Sequence, residues 1–255
     1  MALTSFGKIL TVLDLFSVTR HAIDVDIISH ELELSRPTSY RYLKELVSTG
    51  LLQRINGTSG EYILGPKVAV LDYFSRATDP LVQISMPYMK EIAERTELNC
   101  ILTFLNHDYC IDLHSEPFKK NVLISYGRGN PRPVYIGASP KIILAHTNKH
   151  YLEDFYRHYS HQLKDVNFAA SESAFLDKMK KIKKQGYYFS QGEVLADYSG
   201  LAVPVRYSNK IQPLALTIVG TKNRFEYIDL QKMISTLQDY AMEIEFHYKN
   251  PSLAQ

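Results

Sequence analysis

The residue types that most often carry catalysis or bind metals form no recognised motif in this sequence. Four of the nine histidines lie between residues 146 and 161, but no carboxylate completes a metal-ligand pattern around them. Ser139 lacks the flanking glycines of a nucleophile elbow. The segment GRGNPRP has glycines but neither a phosphate-binding loop nor a dinucleotide fingerprint. The sequence therefore predicts a binding protein without a cofactor or a metal, rather than an enzyme.

A local cluster of basic residues has the chemistry of a DNA contact. Residues 1–66 contain six Lys/Arg and seven Asp/Glu, a formal charge of −1, yet four of the six basic residues fall between positions 36 and 54. A local basic patch is enough for a DNA footprint, because phosphates supply much of the attraction. In the segment ELSRPTSYRYLKELVSTGLL, a helical projection puts Arg41 and Lys44 opposite the apolar residues, with Arg36 and Tyr40 at the flank.

Three helices are predicted to position this cluster. Apolar residues at three- and four-residue spacing predict a helix over residues 5–18, with Ser5 as its cap. A short second helix begins after Asp24 or Asp26. The third begins after Ser35 and ends before a C-terminal glycine, Gly50. The short turn between the second and third helices is typical of a helix-turn-helix, whose second helix enters the major groove.

A hairpin follows the third helix directly. Residues 51–55 and 61–64 predict two strands joined by a glycine-rich turn, the arrangement of a winged helix-turn-helix. Arg54, Thr58 and Ser59 could reach phosphates or the minor groove from this wing. Three helices and a hairpin also occur in modules that bind only protein, so an adaptor remains an alternative at this point.

Residues 67–79 predict a linker helix. Its apolar residues Val70, Leu71 and Phe74 have few local partners, so we expect a second subunit to cover them, or the helix to fold back on its own domain. The predicted domains are residues 1–66 (winged helix-turn-helix), 67–79 (linker helix) and 80–255 (effector binding and oligomerisation).

The larger C-terminal part predicts an α+β domain with an antiparallel sheet. Residues 99–116 read as a hairpin around a turn at 106–108, and residues 121–127 as a third strand. Further strands are predicted within 186–193, 199–207 and 211–220, and helices within 139–159, 171–185 and 226–247. This grouping is the outline of a GAF- or PAS-like sensor of small molecules.

The start of the first of these helices has the chemistry of an acid-binding site. Ser139 is predicted to cap it, with Pro140 in the first turn, and the N–H groups of Ala138, Ser139 and Lys141 would face a carboxylate. Tyr187 and Phe189 are predicted to form part of an apolar wall around it. The full set of predicted effector-binding residues is Tyr126, Tyr135, Gly137, Ala138, Ser139, Ser190, Glu193, Asp197, Ser199 and Gly200. The alternative is an enzyme acting on a small organic acid, with Glu193 or Asp197 as its base.

Composition adds two expectations. The only two cysteines, Cys100 and Cys110, lie in apolar segments and are predicted to be reduced core thiols on neighbouring strands. No apolar run approaches the roughly 18 residues of a membrane span, and no signal-peptide pattern opens the chain, so a cytoplasmic protein is expected.

Several segments together resemble the IclR (isocitrate-lyase-regulator) family of bacterial transcription factors. They are ILTVLDLF, LSRPTSYRYLKELVSTGLLQR and GEYILGPKV in the N-terminal part, and GASPKIILA and IKKQGYYFSQGEVLADYSGLAVPV in the C-terminal part, spanning roughly residues 5–247. The sequence departs from the family pattern at four positions: Glu33, Asp197 and Pro140, where glycine is common, and Pro37, where a small hydroxyl residue is common.

The resemblance implies a function for both parts. The stretch that reads DNA in the family falls on Ser35, Arg36, Pro37, Thr38, Tyr40 and Arg41, to which the helical projection adds Lys44. A homodimer or a dimer of dimers would bind palindromic double-stranded operator DNA. A small carboxylate effector, organic and of aromatic type, would bind in the C-terminal domain and control the DNA-binding heads.

Overall fold

The computed structural model describes residues 4–55, 57, 60–106, 109–118, 129–207 and 213–250. The predicted wing residues Thr58 and Ser59, the predicted effector residue Tyr126 and the strand predicted at 121–127 lie outside these ranges. The chain divides into two compact units between Asp79 and Pro80.

The N-terminal unit contains the predicted three-helix arrangement with a shorter first helix. Helix α1 spans Ser5–Leu10 and continues as a 3₁₀ helix over Thr11–Leu15, so the predicted continuous helix to residue 18 is wrong. Its N-cap is Thr4 rather than Ser5, since the Thr4 hydroxyl accepts the N–H of Gly7 at 3.2 Å. Helix α2 spans Val25–Glu31, and Asp24 caps it by accepting the N–H of Ile27 at 2.8 Å. Helix α3 spans Arg36–Ser48.

The wing is a two-stranded antiparallel hairpin. Strand β1 covers Leu52–Arg54 and β2 covers Tyr62–Leu64, and an isolated bridge from Ile23 to Tyr62 ties the segment before α2 to this hairpin. One core joins these elements, built from Val12, Ile23, Val25, Ile28, Tyr42, Leu43, Leu46 and Leu52. Helix α4 follows over Pro66–Thr78, and none of its described side chains is buried.

Gly50 ends α3 as the sequence predicts. It adopts the left-handed conformation (φ +76°) after the C-cap Thr49. The N–H of Gly50 bonds to the carbonyl of Val47 at 3.0 Å, and the N–H of Leu51 to that of Leu46 at 2.9 Å. These two bonds form a Schellman motif, which satisfies two terminal carbonyls and turns the chain directly into the wing.

The described residues of the C-terminal unit form a six-stranded sheet in which every pairing is antiparallel. The strand order is β5-β4-β3-β8-β7-β6. The strands are β3 (Asn99–Asn106), β4 (Tyr109–Glu116), β5 (Arg132–Pro133), β6 (Tyr188–Gln191), β7 (Tyr198–Val205) and β8 (Leu214–Thr221). The predicted α+β architecture is confirmed, and β5 is a short edge strand that the sequence did not reveal.

Helices cover both faces of this sheet. Helices α6 (Ala138–Ala145), α7 (Lys149–Asp165) and α8 (Glu172–Gln185) share a core with Ala202 and Ala215 of the sheet. Helices α5 (Pro80–Thr96), α9 (Lys222–Glu226) and α10 (Leu230–Lys249) share a second core with Leu201 and Val203. The single helix predicted over 139–159 is therefore two helices, separated at residues 146–148.

The two cysteines are free and buried, in agreement with the prediction of core thiols. They lie on adjacent strands but not opposite each other, since Cys100 pairs with Glu116 and Cys110 with Leu105. Burial raises the pKa of the Cys110 thiol to about 12. Within the described ranges, no helix is long and apolar enough to cross a membrane, and no group of His, Cys, Asp or Glu side chains could hold a metal ion.

Candidate DNA-binding surface and effector site

The turn between α2 and α3 is held by backbone geometry and by serine hydroxyls. Glu33 adopts φ +52°, the left-handed region, at a position where the resemblance leads one to expect glycine. The Ser29 and Ser39 hydroxyls lie 3.0 Å apart, and the Ser39 hydroxyl also donates to the carbonyl of Ser35 at 3.3 Å. Since Ser39 is fully buried, this contact fixes α3 against α2.

The outer face of α3 is basic and exposed. Tyr40, Arg41 and Lys44 are all exposed, whereas Tyr42 and Leu43 are buried, as the helical projection predicts. Val47 departs from that projection, since its side chain is 36% exposed. Arg41 and Lys44 therefore face solvent.

Three other predicted DNA-contacting residues, Arg36, Ser35 and Thr38, have intramolecular partners. The Arg36 guanidinium pairs with Asp26 of α2 at 2.5 Å, and both side chains are more than half exposed. Ser35 occupies the N-cap position of α3, but its hydroxyl contacts that of Thr38 at 2.9 Å instead of a helix N–H group. Pro37 lies in the first turn of α3, as predicted. Arg54 is exposed at the end of β1.

The predicted acid site lies at the N-terminus of α6, but Ser139 does not cap this helix. The N-cap is Gly137, which adopts φ +88°, so the cap lies two residues earlier than expected. Ser139 is 4% exposed and points to the sheet, with its hydroxyl 2.9 Å from that of Thr217 and 3.4 Å from that of Thr103. The prediction that Ser139 supplies a side-chain cap is therefore wrong.

A carboxylate of the protein itself occupies this helix terminus. Glu193 accepts the N–H of Gly137 at 2.9 Å through Oε2 and the Tyr188 hydroxyl at 2.9 Å through Oε1. Its Oε2 also forms an ion pair with the ammonium of Lys141, one turn into α6. Helix N-termini favour negative charge, so the Glu193 carboxylate and the partial charge of α6 stabilise each other.

Lys141 is the buried centre of this cluster. Its side chain is 2% exposed, and the ammonium lies 4.2 Å from the ring centre of Phe168 and 5.0 Å from that of Tyr188. Burial lowers the pKa of Lys141, and the Glu193 charge opposes that effect. Burial likewise raises the pKa of Tyr188. A buried ammonium needs a carboxylate partner, because an unpaired charge in this environment costs several kcal/mol, of the order of 3–5.

A second buried charge pair lies beneath α6 and was not recognised from the sequence. Asp112 of β4 is fully buried and pairs with Arg132 of β5. The Thr103 hydroxyl donates to Asp112 at 2.8 Å and also contacts Ser139, which connects this pair to the start of α6. The detectable signal was an aspartate at an inward position of the apolar segment CIDLH.

The remaining predicted effector residues divide between the two faces of the sheet. A Cβ atom added to Gly200 would lie 3.6 Å from Cβ of Ala138 and 3.3 Å from Oγ of Ser190, so these three positions meet beneath the start of α6. Ser199 alternates with Gly200 along β7 and shares its face with Leu201, which packs with the α5 and α10 cluster. Ser199 therefore does not join the α6 site.

Three aromatic residues and an aspartate also differ from the expected pocket. Tyr187 and Phe189 pack in the α5 and α10 cluster, so neither forms the predicted wall at α6. Tyr135 packs on the ring of Tyr159 with centroids 5.6 Å apart, on the α7 side. Asp197 is exposed in the turn between β6 and β7, and its carbonyl accepts the N–H of Lys222 at 2.8 Å.

A winged helix with an exposed basic third helix, in one chain with an α+β domain, is the architecture of a DNA-binding regulator. The family descriptions that match are the IclR helix-turn-helix domain over residues 5–55 and the bacterial transcriptional regulator IclR C-terminal domain over residues 75–246. The chain belongs to the IclR family. It is a transcriptional regulator with a helix-turn-helix and a C-terminal effector domain.

Individual relatives agree with this assignment. The chain is 25% identical over 248 residues to the Pca operon regulatory protein of Acinetobacter baylyi, covering 93% of this chain and 86% of that one. An IclR-family regulator from Brucella abortus superposes with a TM-score of 0.79 at 20% identity, covering 95% of this chain and 91% of that one. An IclR homologue from Microbacterium hydrocarbonoxydans was solved in complex with 4-hydroxybenzoate. It superposes with a TM-score of 0.71 at 21% identity, covering 97% of this chain and 100% of that one.

Proposed function

We propose that this regulator binds a palindromic operator as a homodimer, alone or as a dimer of dimers, and that a small aromatic carboxylic acid controls that binding. The observation that carries the proposal is the cluster of donors arranged around a carboxylate at the start of α6. A solved relative that binds 4-hydroxybenzoate supports the same chemical class. The domain division proposed from the sequence, 1–66, 67–79 and 80–255, assigns DNA binding, linkage and sensing to successive parts.

On DNA, α3 supplies the specific contacts. The exposed side chains of Arg41 and Lys44 reach bases or phosphates in the major groove. Arg36 exchanges its exposed partner Asp26 for a phosphate, which costs little because an exposed ion pair contributes about 1 kcal/mol at most. Ser35, Pro37, Thr38 and Tyr40 complete the contact set on α3, and Arg54, Thr58 and Ser59 contact the backbone from the wing.

The acid binds at the first turn of α6. Among the described residues, no acceptor bonds to the N–H groups of Ala138 and Ser139, which precede Pro140. These two N–H groups, together with that of Gly137, are the donors proposed for the acid. The N–H of Lys141, which the sequence analysis included, is not among them. Lys141 is the fourth residue of α6, and in a helix the fourth N–H bonds to the carbonyl of the N-cap residue. Gly200 and Ser190 lie beneath the proposed donors, and Tyr135 contributes to the wall on the α7 side.

Glu193 competes with this acid. Two carboxylates at the same donors repel each other, so an incoming acid displaces Glu193 from Lys141 and Gly137. The buried Lys141 keeps one carboxylate partner throughout this exchange. Replacing Glu193 by the acid therefore costs much less free energy than losing Glu193 without a replacement. The displaced side chain belongs to the β6–β7 turn, so exchange of the carboxylate changes that turn.

The test compares Glu193→Gln with the wild type, using 4-hydroxybenzoate and its neutral amide as probes. We expect the acid to raise the thermal midpoint of the wild type and the amide to have no effect. Glu193→Gln removes the competing charge, so the acid should bind about tenfold more tightly, and the unliganded variant should be less stable because Lys141 loses its partner.

Asp197→Asn, a carboxylate-to-amide change in the same turn, is the matched control and should leave acid affinity unchanged. Equal effects of the two substitutions, or equal binding of acid and amide, would refute the site. Operator binding measured with and without the acid then links the site to regulation.

A further inference from the structure

A cavity lies in the effector domain on the face of the sheet opposite α6. It has a volume of about 360 Å³ and opens between α5, α9 and α10. Small-molecule sites in proteins have volumes of roughly 300–1,000 Å³, so this cavity has room for a compact metabolite. It shares no lining residue with the α6 cluster, because the sheet separates the two.

The inner surface of the cavity is apolar. Its floor is formed by aliphatic side chains of helices α5 and α10 and of the loop before α10: Ile92, Ile228, Met233 and Leu237. Ile92 and Leu237 are fully buried members of the α5 and α10 core. Tyr240 closes one side with its hydroxyl 2.7 Å from the Arg95 guanidinium. An aromatic ring or a short aliphatic chain fits such a floor.

The rim is cationic on the side that faces the cavity. Arg95, Arg224 and Lys232 all line it, against the single lining carboxylate Asp229. The carboxylates that pair with the two arginines, Glu91 and Glu97, do not line the cavity. Three cationic side chains therefore line it against one carboxylate.

The three cations differ in how firmly they are placed. Arg224 donates to the carbonyl of Thr96, the last residue of α5, at 3.3 Å through Nε and 3.2 Å through Nη2. Arg95 is held by Glu91 and the Tyr240 hydroxyl. In the part of the chain described, no carboxylate pairs with the ammonium of Lys232. The nearby Asp229 accepts the backbone N–H of Lys232 at 3.1 Å. The rim thus has two oriented guanidinium groups and one unpaired ammonium.

We propose that this cavity is a second ligand site, which binds an organic anion with an apolar body. The ring or chain of the ligand lies on the aliphatic floor, and its carboxylate lies between Lys232 and the two arginines. Bound there, the ligand joins the end of α5 to the start of α10. The site is independent of the acid site proposed at α6, and either could exist without the other.

The absence of tryptophan from the chain allows a local optical test. Tyr227 lines the mouth of the cavity and is 83% exposed, so Tyr227→Trp places a single indole there with little risk to folding. The probes are 2-naphthoate and its uncharged amide. We expect saturable quenching of the indole by the acid and at least tenfold weaker quenching by the amide, because a hydrogen bond to a charged group is lost.

Charge reversal identifies the anion contact. In the Tyr227→Trp background, Lys232→Glu should weaken naphthoate binding by tenfold or more, whereas Lys184→Glu, an exposed reversal on α8, should leave it unchanged. Glu193→Gln in the same background should also leave the signal unchanged, which separates this site from the α6 site. Absence of saturable quenching, equal quenching by acid and amide, or equal losses for the two lysine variants would overturn the proposal.

Discussion

At the residue scale, the proposed DNA-binding face of α3 and the Lys141–Glu193 pair at α6 differ in how exposed their charges are. Arg41 and Lys44 are exposed, so their charges are hydrated and cost nothing to keep. Lys141 is buried, which lowers the pKa of its ammonium, and the neighbouring Glu193 carboxylate opposes that effect. Removing an exposed arginine should therefore affect binding alone, whereas removing a partner of the buried lysine should affect both stability and ligand affinity.

This difference makes Arg41→Ala a direct test of the recognition helix. We expect operator affinity to fall by about 1–3 kcal/mol, because a bidentate contact to a base or a phosphate is lost. The free energy of unfolding should change by less than about 0.5 kcal/mol, as is usual for exposed positions. Fluorescence anisotropy with operator DNA measures the first quantity and chemical denaturation the second.

Arg157→Ala is the matched control, since Arg157 is an exposed arginine on α7 that pairs with a neighbouring aspartate. It should bind operator like the wild type. Wild-type affinity in Arg41→Ala would mean that α3 does not read the DNA.

At the scale of the elements, two residues that flank α3 adopt the left-handed backbone conformation, and only one of them is a glycine. Gly50 adopts φ +76° after α3 and Glu33 adopts φ +52° before it. Glycine meets this requirement without steric cost, whereas an ordinary L-residue there costs about 1–2 kcal/mol. The turn that orients the recognition helix is therefore strained in this protein.

Glu33→Gly should relieve that strain. We expect a net gain of about 0.5–1 kcal/mol, because part of the relief is offset by the greater entropy of glycine in the unfolded chain. The thermal midpoint of the N-terminal unit, followed by circular dichroism, reports the change. Glu45→Gly, the same substitution in the exposed interior of α3, should instead destabilise by about 1 kcal/mol. If both variants lose stability alike, the strain at Glu33 is not significant.

At the scale of the whole molecule, helix α4 exposes apolar side chains that a single chain does not cover. Val70, Leu71 and Phe74 are 49%, 50% and 55% exposed and lie along one side of the helix. Palindromic operators require two DNA-binding heads about one helical turn apart, and this face of α4 is suited to joining them.

Phe74→Glu should dissociate the proposed dimer. Placing a charge in an apolar interface leaves it desolvated and unpaired, so sedimentation at micromolar concentration should shift toward a 29.2 kDa monomer and operator binding should weaken strongly. Ala69→Glu, on the opposite side of the same helix, should leave the assembly intact. A wild-type monomer, or an unchanged assembly in Phe74→Glu, would rule out this interface.

Much of the fold followed from local patterns in the sequence. The apolar period of α3, the glycine after it and the paired strands of the wing depend on neighbouring residues, so each was predictable. The same holds for the β3–β4 hairpin and for α8, whose predicted range of 171–185 differs from Glu172–Gln185 by one residue. The basic side of the recognition helix was also predictable, because helical geometry alone assigns Arg41 and Lys44 to one side.

The acid site was decided by tertiary structure. Proximity in sequence suggested that Ser139 caps α6 and that Ser199 joins it, but a positive φ at Gly137 moved the helix start and strand alternation put Ser199 on the other face. The meeting of Glu193 with Lys141, 52 residues apart, depends on how β6 and β7 pack beside α6. Local sequence determines helices and strands because their hydrogen bonds are short-range. The partner of a buried charge depends on the packing of distant segments, and only the folded chain determines it.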